Sequence, residues 1–397
     1  MQDSMELMIR TFTNSPMQVL RDWQAVTDAL EFRSDPTVRG HVSWKDEETL
    51  LYKGMEFTMV KIRGFVHDLI ASTKKLLKGL LYVPETESSE SRSAVLPQIP
   101  WDALRDDPMQ AAPSWSFLKD ERTVKSLEVN SERCVPEEML NEQRLRQLFL
   151  RNGVFDAEET VRFFSLVSRF KEQLAICVLV TAGIPVRPSE LLSLQHENPS
   201  AKTRRNIFIE DGMVALVTTF NDITEKKTIV RFLPREVGEL VIWYLWLVLP
   251  LVRQLALWRS GVGQETTICS NQAPGQSLLN NNQHKDAFLW GPDPGTGREW
   301  TCDRINRVLQ RETKSSTLNY ALDIASYSDI AVGISRRRLQ PHNAFPNYVR
   351  AELNRKLDLM HNDAKEWIDV MDVRDHDSEN AGLTYAREIF ERPFSAS

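Results

Sequence analysis

Arg187 is the residue whose setting points most directly to chemistry. It lies in T-A-G-I-P-V-R-P-S-E-L-L, residues 181–192, where a glycine and two prolines enforce a turn and a leucine-rich helix follows at once. A guanidinium fork pairs bidentately with two non-bridging oxygens of a phosphate, and a turn holds such a fork in place. The plainer reading of Arg187 is an ion pair with Glu190 that caps the helix. Three short basic clusters would extend a phosphate site along a backbone. They are Lys202, Arg204 and Arg205; Lys226 and Lys227; and Arg336, Arg337 and Arg338. Each reads as readily as a solvated face. If they neutralise phosphates, binding must weaken steeply with salt.

Other chemistries are poorly served. Cys134, Cys177, Cys269 and Cys302 are scattered, with no C-x-x-C pair, so neither a disulfide framework nor a zinc site is expected. No G-x-x-x-x-G-K-[ST] loop occurs, so no nucleotide is expected, and no cofactor motif stands out. The opening MQDSMELMIR contains acids and lacks a continuous apolar core, unlike a secretory signal. The most apolar run, 240–252, is too short to span a bilayer. A reducing compartment, nuclear or cytosolic, and no membrane partner are the expectations. The 397 residues suit two or three domains, and 42% apolar with 26% charged residues suit a soluble globular fold. A net charge of -6 and a pI near 5.8 count against DNA binding by the chain as a whole. Only the local field at a binding face decides that question.

Hydrophobic spacing supplies the elements that must hold Arg187 and the clusters. Residues 47–82 read as one long helix, with Leu50, Leu51, Met55, Met59, Ile62, Val66, Leu69 and Ile70 on a stripe. Residues 84–100 are rich in Pro, Ser and Glu and read as a linker. Residues 137–150 and 158–182 read as helices. Residues 206–233 hold three β-branched and aromatic runs broken by Asp-Gly and a polar patch, a small antiparallel sheet. Helical patterning returns at 235–258, a polar loop occupies 260–298, and helices follow at 302–313, 329–339, 345–371 and 379–390. The fold class expected is mainly α with a small antiparallel sheet. An N-terminal helical region, 1–83, an irregular stretch, 84–135, and a larger domain, 136–397, with its core from about 155, are expected.

With these elements in place, the first segment resembles the first-arginine motif of tyrosine recombinases and integrases. Gly183, Arg187, Ser189, Glu190 and Leu191 carry the match, with two extra residues between glycine and arginine. H-D-S-E-N-A-G-L-T-Y-A-R, residues 376–387, is similar to their nucleophile segment, with His376 nine residues before Tyr385. Alone, Tyr385 reads as a packing residue and His376 as a surface one. GIPVRPSELLSL, RNIFIEDGMVALVT and FLPREVGELVIWYLWLVLPL look like fungal recombinase-like proteins linked to telomeric RecQ-type helicases or to crypton-like mobile elements. That similarity runs from about residue 40 to the C-terminus. It implies a DNA partner, a tyrosine that attacks the scissile phosphate to leave a 3′-phosphotyrosine, and assembly as a homo-oligomer.

The resemblance also implies parts that this chain lacks. Those proteins carry Arg-His inside the segment matching 327–339, where Ser328 and Asp329 stand here. They carry a lysine, the general acid on the leaving oxygen, where this chain has Asn221 and Asp222. Lys226 and Lys227 would replace it only by a register shift. Arg336 to Arg338 lie two turns beyond Ser328, roughly 12–15 Å along the axis at about 1.5 Å per residue. Loss of one preorganised donor costs roughly 100- to 1000-fold in rate. Little or no strand cleavage is therefore expected. Two alternatives stand beside a degenerate DNA-binding protein: an active recombinase or integrase of a mobile element, and a scaffold protein, rich in tryptophan, that keeps the fold without DNA.

Overall fold

The computed structural model describes residues 42–83, 96–131, 148–151, 154–183, 185–199, 204–221, 226–259 and 287–338. The chain divides into two units. One comprises Met1–Val60 and Ala325–Ser378, the other Lys61–Ile324 and Glu379–Ser397. The described elements are mostly helical, with two small three-stranded antiparallel sheets.

In the first unit, strands β1 (Val42–Trp44), β2 (Thr49–Tyr52) and β3 (Met55–Thr58) form a sheet in sequence order. The expectation of one helix over 47–82 fails here. Lys53 and Gly54 both take positive φ, 47° and 74°, which is the geometry of a tight two-residue hairpin turn. Leu50, Tyr52 and Phe57 are buried, which fits one sheet face as well as a helical stripe. Helix α1 begins only at Met59 and runs to Leu80.

The second unit is built around a helix whose C-terminal half is buried all round. Between α1 and that helix lie α2 (Glu121–Ser131), in the stretch expected to be irregular, and two short strands, β4 (Leu150–Arg151) and β5 (Val154–Phe155). The stretch 84–100 is only in part open to description; there Leu96 and Ile99 are buried, and Pro97 O accepts from Trp243 Nε1. The central helix α3 (Ala157–Thr181) starts at Asp156, whose carboxylate accepts from the backbone N–H of Glu158 and Glu159. Its second half, Leu174 to Val180, is wholly apolar and wholly buried. Ser72 and Thr73 of α1 reach Gln173 and Cys177 on it.

Helix α4 (Pro188–Leu192) follows, then the sheet of β6 (Ile207–Glu210), β7 (Met213–Asn221) and β8 (Lys226–Phe232), in sequence order and antiparallel, as expected from the sequence. Asp211 and Gly212, with φ of 48° and 67°, turn β6 into β7. Helices α5 (Arg235–Trp243) and α6 (Leu249–Arg259) continue through a π-helical turn, Tyr244–Val248. The stretch Arg235–Ala256 is long and apolar enough to cross a membrane, because the helix extends beyond the apolar run on both sides, yet 61% of its 18-residue apolar window is buried in the fold. Helix α7 is Cys302–Ser315 and α8 is Ile324–Arg338. The helices expected at 345–371 and 379–390 lie outside the described residues, as do most of 137–150 and 260–298.

Candidate nucleic-acid interface

The position of Arg187 follows from its neighbours. Helix α3 stops where Gly183 takes a φ of 93°, a backbone that L side chains avoid. Pro188 then excludes the helical region for the residue before it. Arg187 accordingly has φ -61° and ψ 140°, and Pro188 opens α4 with its missing N–H at no cost. Arg187 thus becomes the N-cap residue. Its carbonyl accepts the first helical bond from Leu191 N at 2.9 Å, and its side chain is exposed.

Glu190, three residues on, is buried, at 8% exposure. Its Oε2 stands 3.3 Å from Nη1 of Arg231 on β8. The angle is wrong for a hydrogen bond, so Oε2 finds none among the described residues. Arg231 Nη1 donates instead to Thr218 Oγ1 at 2.9 Å. Burial pushes the Arg231 guanidinium below its usual range, Glu190 pulls it back up, and the nearby charge of Arg187 pushes it down again. Arg231 was not singled out in the sequence. Its strand, KKTIVRF, alternates, and a charge on the same face as the buried Leu216 opposite it was the available signal.

The other expected contacts divide. Arg204 is exposed, and its Nη1 donates to Pro108 O at 3.2 Å. Arg205 is corrected: it is 2% exposed and its guanidinium is ion-paired to Asp106 and stacked over Phe208 at 4.8 Å. Burial pushes the Asp106 carboxyl up and the Arg205 guanidinium down. A buried, paired cation does not meet a phosphate. Lys226 and Lys227 sit opposite Asn221 and Phe220 in the β7–β8 ladder. No shift of register is needed to bring Lys226 beside the Asn221 position. Arg336, Arg337 and Arg338 end α8, where Arg337 is exposed and its guanidinium lies 5.7 Å from the Trp44 ring centroid. Lys202, His376 and Tyr385 lie outside the described residues.

Asp329 bonds to Tyr52 within its own unit. Its Oδ2 accepts from the Tyr52 hydroxyl at 3.0 Å, and Tyr52 is 1% exposed. Burial, before any charge, raises the Tyr52 hydroxyl above its usual range. Ser328 is half-buried beside it on α8.

A cavity of about 700 Å³ lies elsewhere, against Phe208, Ala215 and Val217 of the sheet and under Trp101 and Leu104. Its charged lining is Asp102, Asp106, Glu210 and Asp211 against Arg105, which does not suit a polyanion. No group of three or more metal-binding side chains occurs among the described residues. No protein-family model matches the chain, and neither does any curated protein or solved structure.

Proposed function

We propose that this chain is a tyrosine-recombinase-like DNA-binding protein, related to fungal mobile-element and helicase-linked recombinases, that acts in the nucleus without cleaving DNA. One observation carries the reading. An exposed arginine is fixed as an N-cap by a glycine–proline turn, immediately before a three-stranded antiparallel sheet, which is the order of parts that the resemblance implies. The Ser328–Asp329 pair supports the loss of cleavage, because an acceptor bonded to Tyr52 is no substitute for a phosphate-binding guanidinium.

The test has two arms. A nicked duplex incubated with the protein should yield no covalent protein–DNA adduct on a denaturing gel. An adduct that Tyr385→Phe abolishes would instead establish an active recombinase. A duplex of arbitrary sequence should bind, and lose about 100-fold in affinity between roughly 50 and 200 mM salt if about four phosphates are neutralised. The burial of Arg205 and the net charge of -6 favour the scaffold reading in one respect, since both reduce the basic surface. Binding that is absent or indifferent to salt would decide for that reading.

A further inference from the structure

The cavity against the β6–β7–β8 sheet lies wholly within the second unit and has no part in the DNA reading. Strand alternation makes one of its walls. Phe208 pairs with Ala215, so their side chains share a face, and Val217, two residues on, shares it too. Trp101 and Leu104, both buried, form the other apolar wall. Trp101 is held in place by α5: its Cη2 is only 3.1 Å from where a Cβ on Gly238 would stand. The volume of about 700 Å³ is in the range of cavities that hold small molecules.

Charge gives this cavity its sign. Asp106 has no side-chain exposure and is neutralised by Arg205. Asp102, Glu210 and Asp211 are exposed on the lining, and none of the three is ion-paired among the described residues. Against them stands Arg105, whose Nη1 is already spent on the carbonyls of Asp102 and Leu104, both at 2.9 Å. Arg235 comes near, with Nη2 3.4 Å from where a Cβ on Gly212 would stand, but its charge is shared with Glu239. The mouth is therefore net negative, and the walls are apolar and aromatic. Aromatic rings attract cations, and Phe208 already carries the Arg205 guanidinium at 4.8 Å.

We propose that this cavity binds a small organic cation, an ammonium group on an apolar body. The body packs against Phe208, Ala215 and Val217, and the ammonium sits at the mouth among Asp102, Glu210 and Asp211. A neutral molecule of the same shape gains only the apolar walls. An anion of the same shape meets three carboxylates. The inference stands whether or not the chain binds DNA.

Isothermal titration calorimetry with three probes of one shape tests it: phenethylammonium, phenethyl alcohol and phenylpropionate. The ammonium should bind about tenfold more tightly than the alcohol, and the carboxylate more weakly than either. Glu210→Gln and Asp211→Asn are exposed changes, and Asn tolerates the positive φ of Asp211. Each should weaken the ammonium about two- to fivefold and leave the alcohol unchanged. Val217→Phe, at a half-buried position, should fill the cavity and abolish binding of both, with circular dichroism confirming the fold. Equal affinities for ammonium and alcohol, or no ammonium binding at millimolar concentration, would overturn the proposal. So would ammonium binding that survives in a folded Val217→Phe variant, since the probe would then sit elsewhere.

Discussion

Single residues decide what this site can do, and burial decides what single residues can do. Arg205 and Arg187 have the same chemistry, but one is ion-paired in the interior and the other stands exposed at the N-cap of α4. The sequence distinguishes them only through the proline; the burial of Arg205 depends on Asp106, about 100 residues away in the chain. Lys171 shows the energetic side. Its Nζ is buried, donates to Gly291 O at 2.9 Å and lies 5.4 Å from the Trp300 centroid. Burial pushes its amine down to about 8, against an ordinary 10.5. Between those values the unfolded chain binds more protons, so stability rises as pH rises. Cys177 works the other way, because burial pushes its thiol up from 9 to about 12 and stability falls as pH rises through that range. The window from pH 8 to 9 therefore belongs to Lys171. Denaturant unfolding should show a gain of about 1 kcal/mol across it, absent in Lys171→Met. A flat wild-type profile there would mean that the amine is hydrated.

At the scale of elements, most of the second unit was legible and the start of the first was not. Helix α3, the sheet 206–233 and helix α7 follow from runs whose period and breakers agree: Asp156 before α3, Gly183 and Pro185 after it, Asp211-Gly212 between β6 and β7. Residues 47–58 mislead because Leu50, Leu51 and Met55 fit a period of 3.6 as well as they fit alternating strands, and Lys53-Gly54 is a turn signal only once its positive φ is known. The first unit also sets a close contact that sequence does not announce. A Cβ at Gly333, within α8, would stand 2.6 Å from Val42 Cγ1 and 2.7 Å from its Cβ. In an open helix Gly→Ala gains about 1 kcal/mol. Here overpacking of about 1–3 kcal/mol outweighs it, so Gly333→Ala should lower the melting temperature. Val42→Ala should restore only part of the loss, since the Val42 Cβ remains. A melting temperature raised by Gly333→Ala would show that β1 moves aside freely.

Across the whole molecule, composition argues one way and local arrangement the other. The net charge of -6 counts against a polyanionic partner for the chain as a whole. Arg187 stands exposed at the N-cap of α4, and the field at that face, rather than the net charge, governs steering. His376 and Tyr385 were read from their spacing alone, and both lie outside the described residues. The most direct test of the central claim is the slope of log Kd against log salt for duplex binding, measured for the wild type and for Arg187→Ala. The account predicts a steep wild-type slope that falls by about one in the variant, with affinity reduced about tenfold. Equal slopes and equal affinities for the two proteins would contradict it.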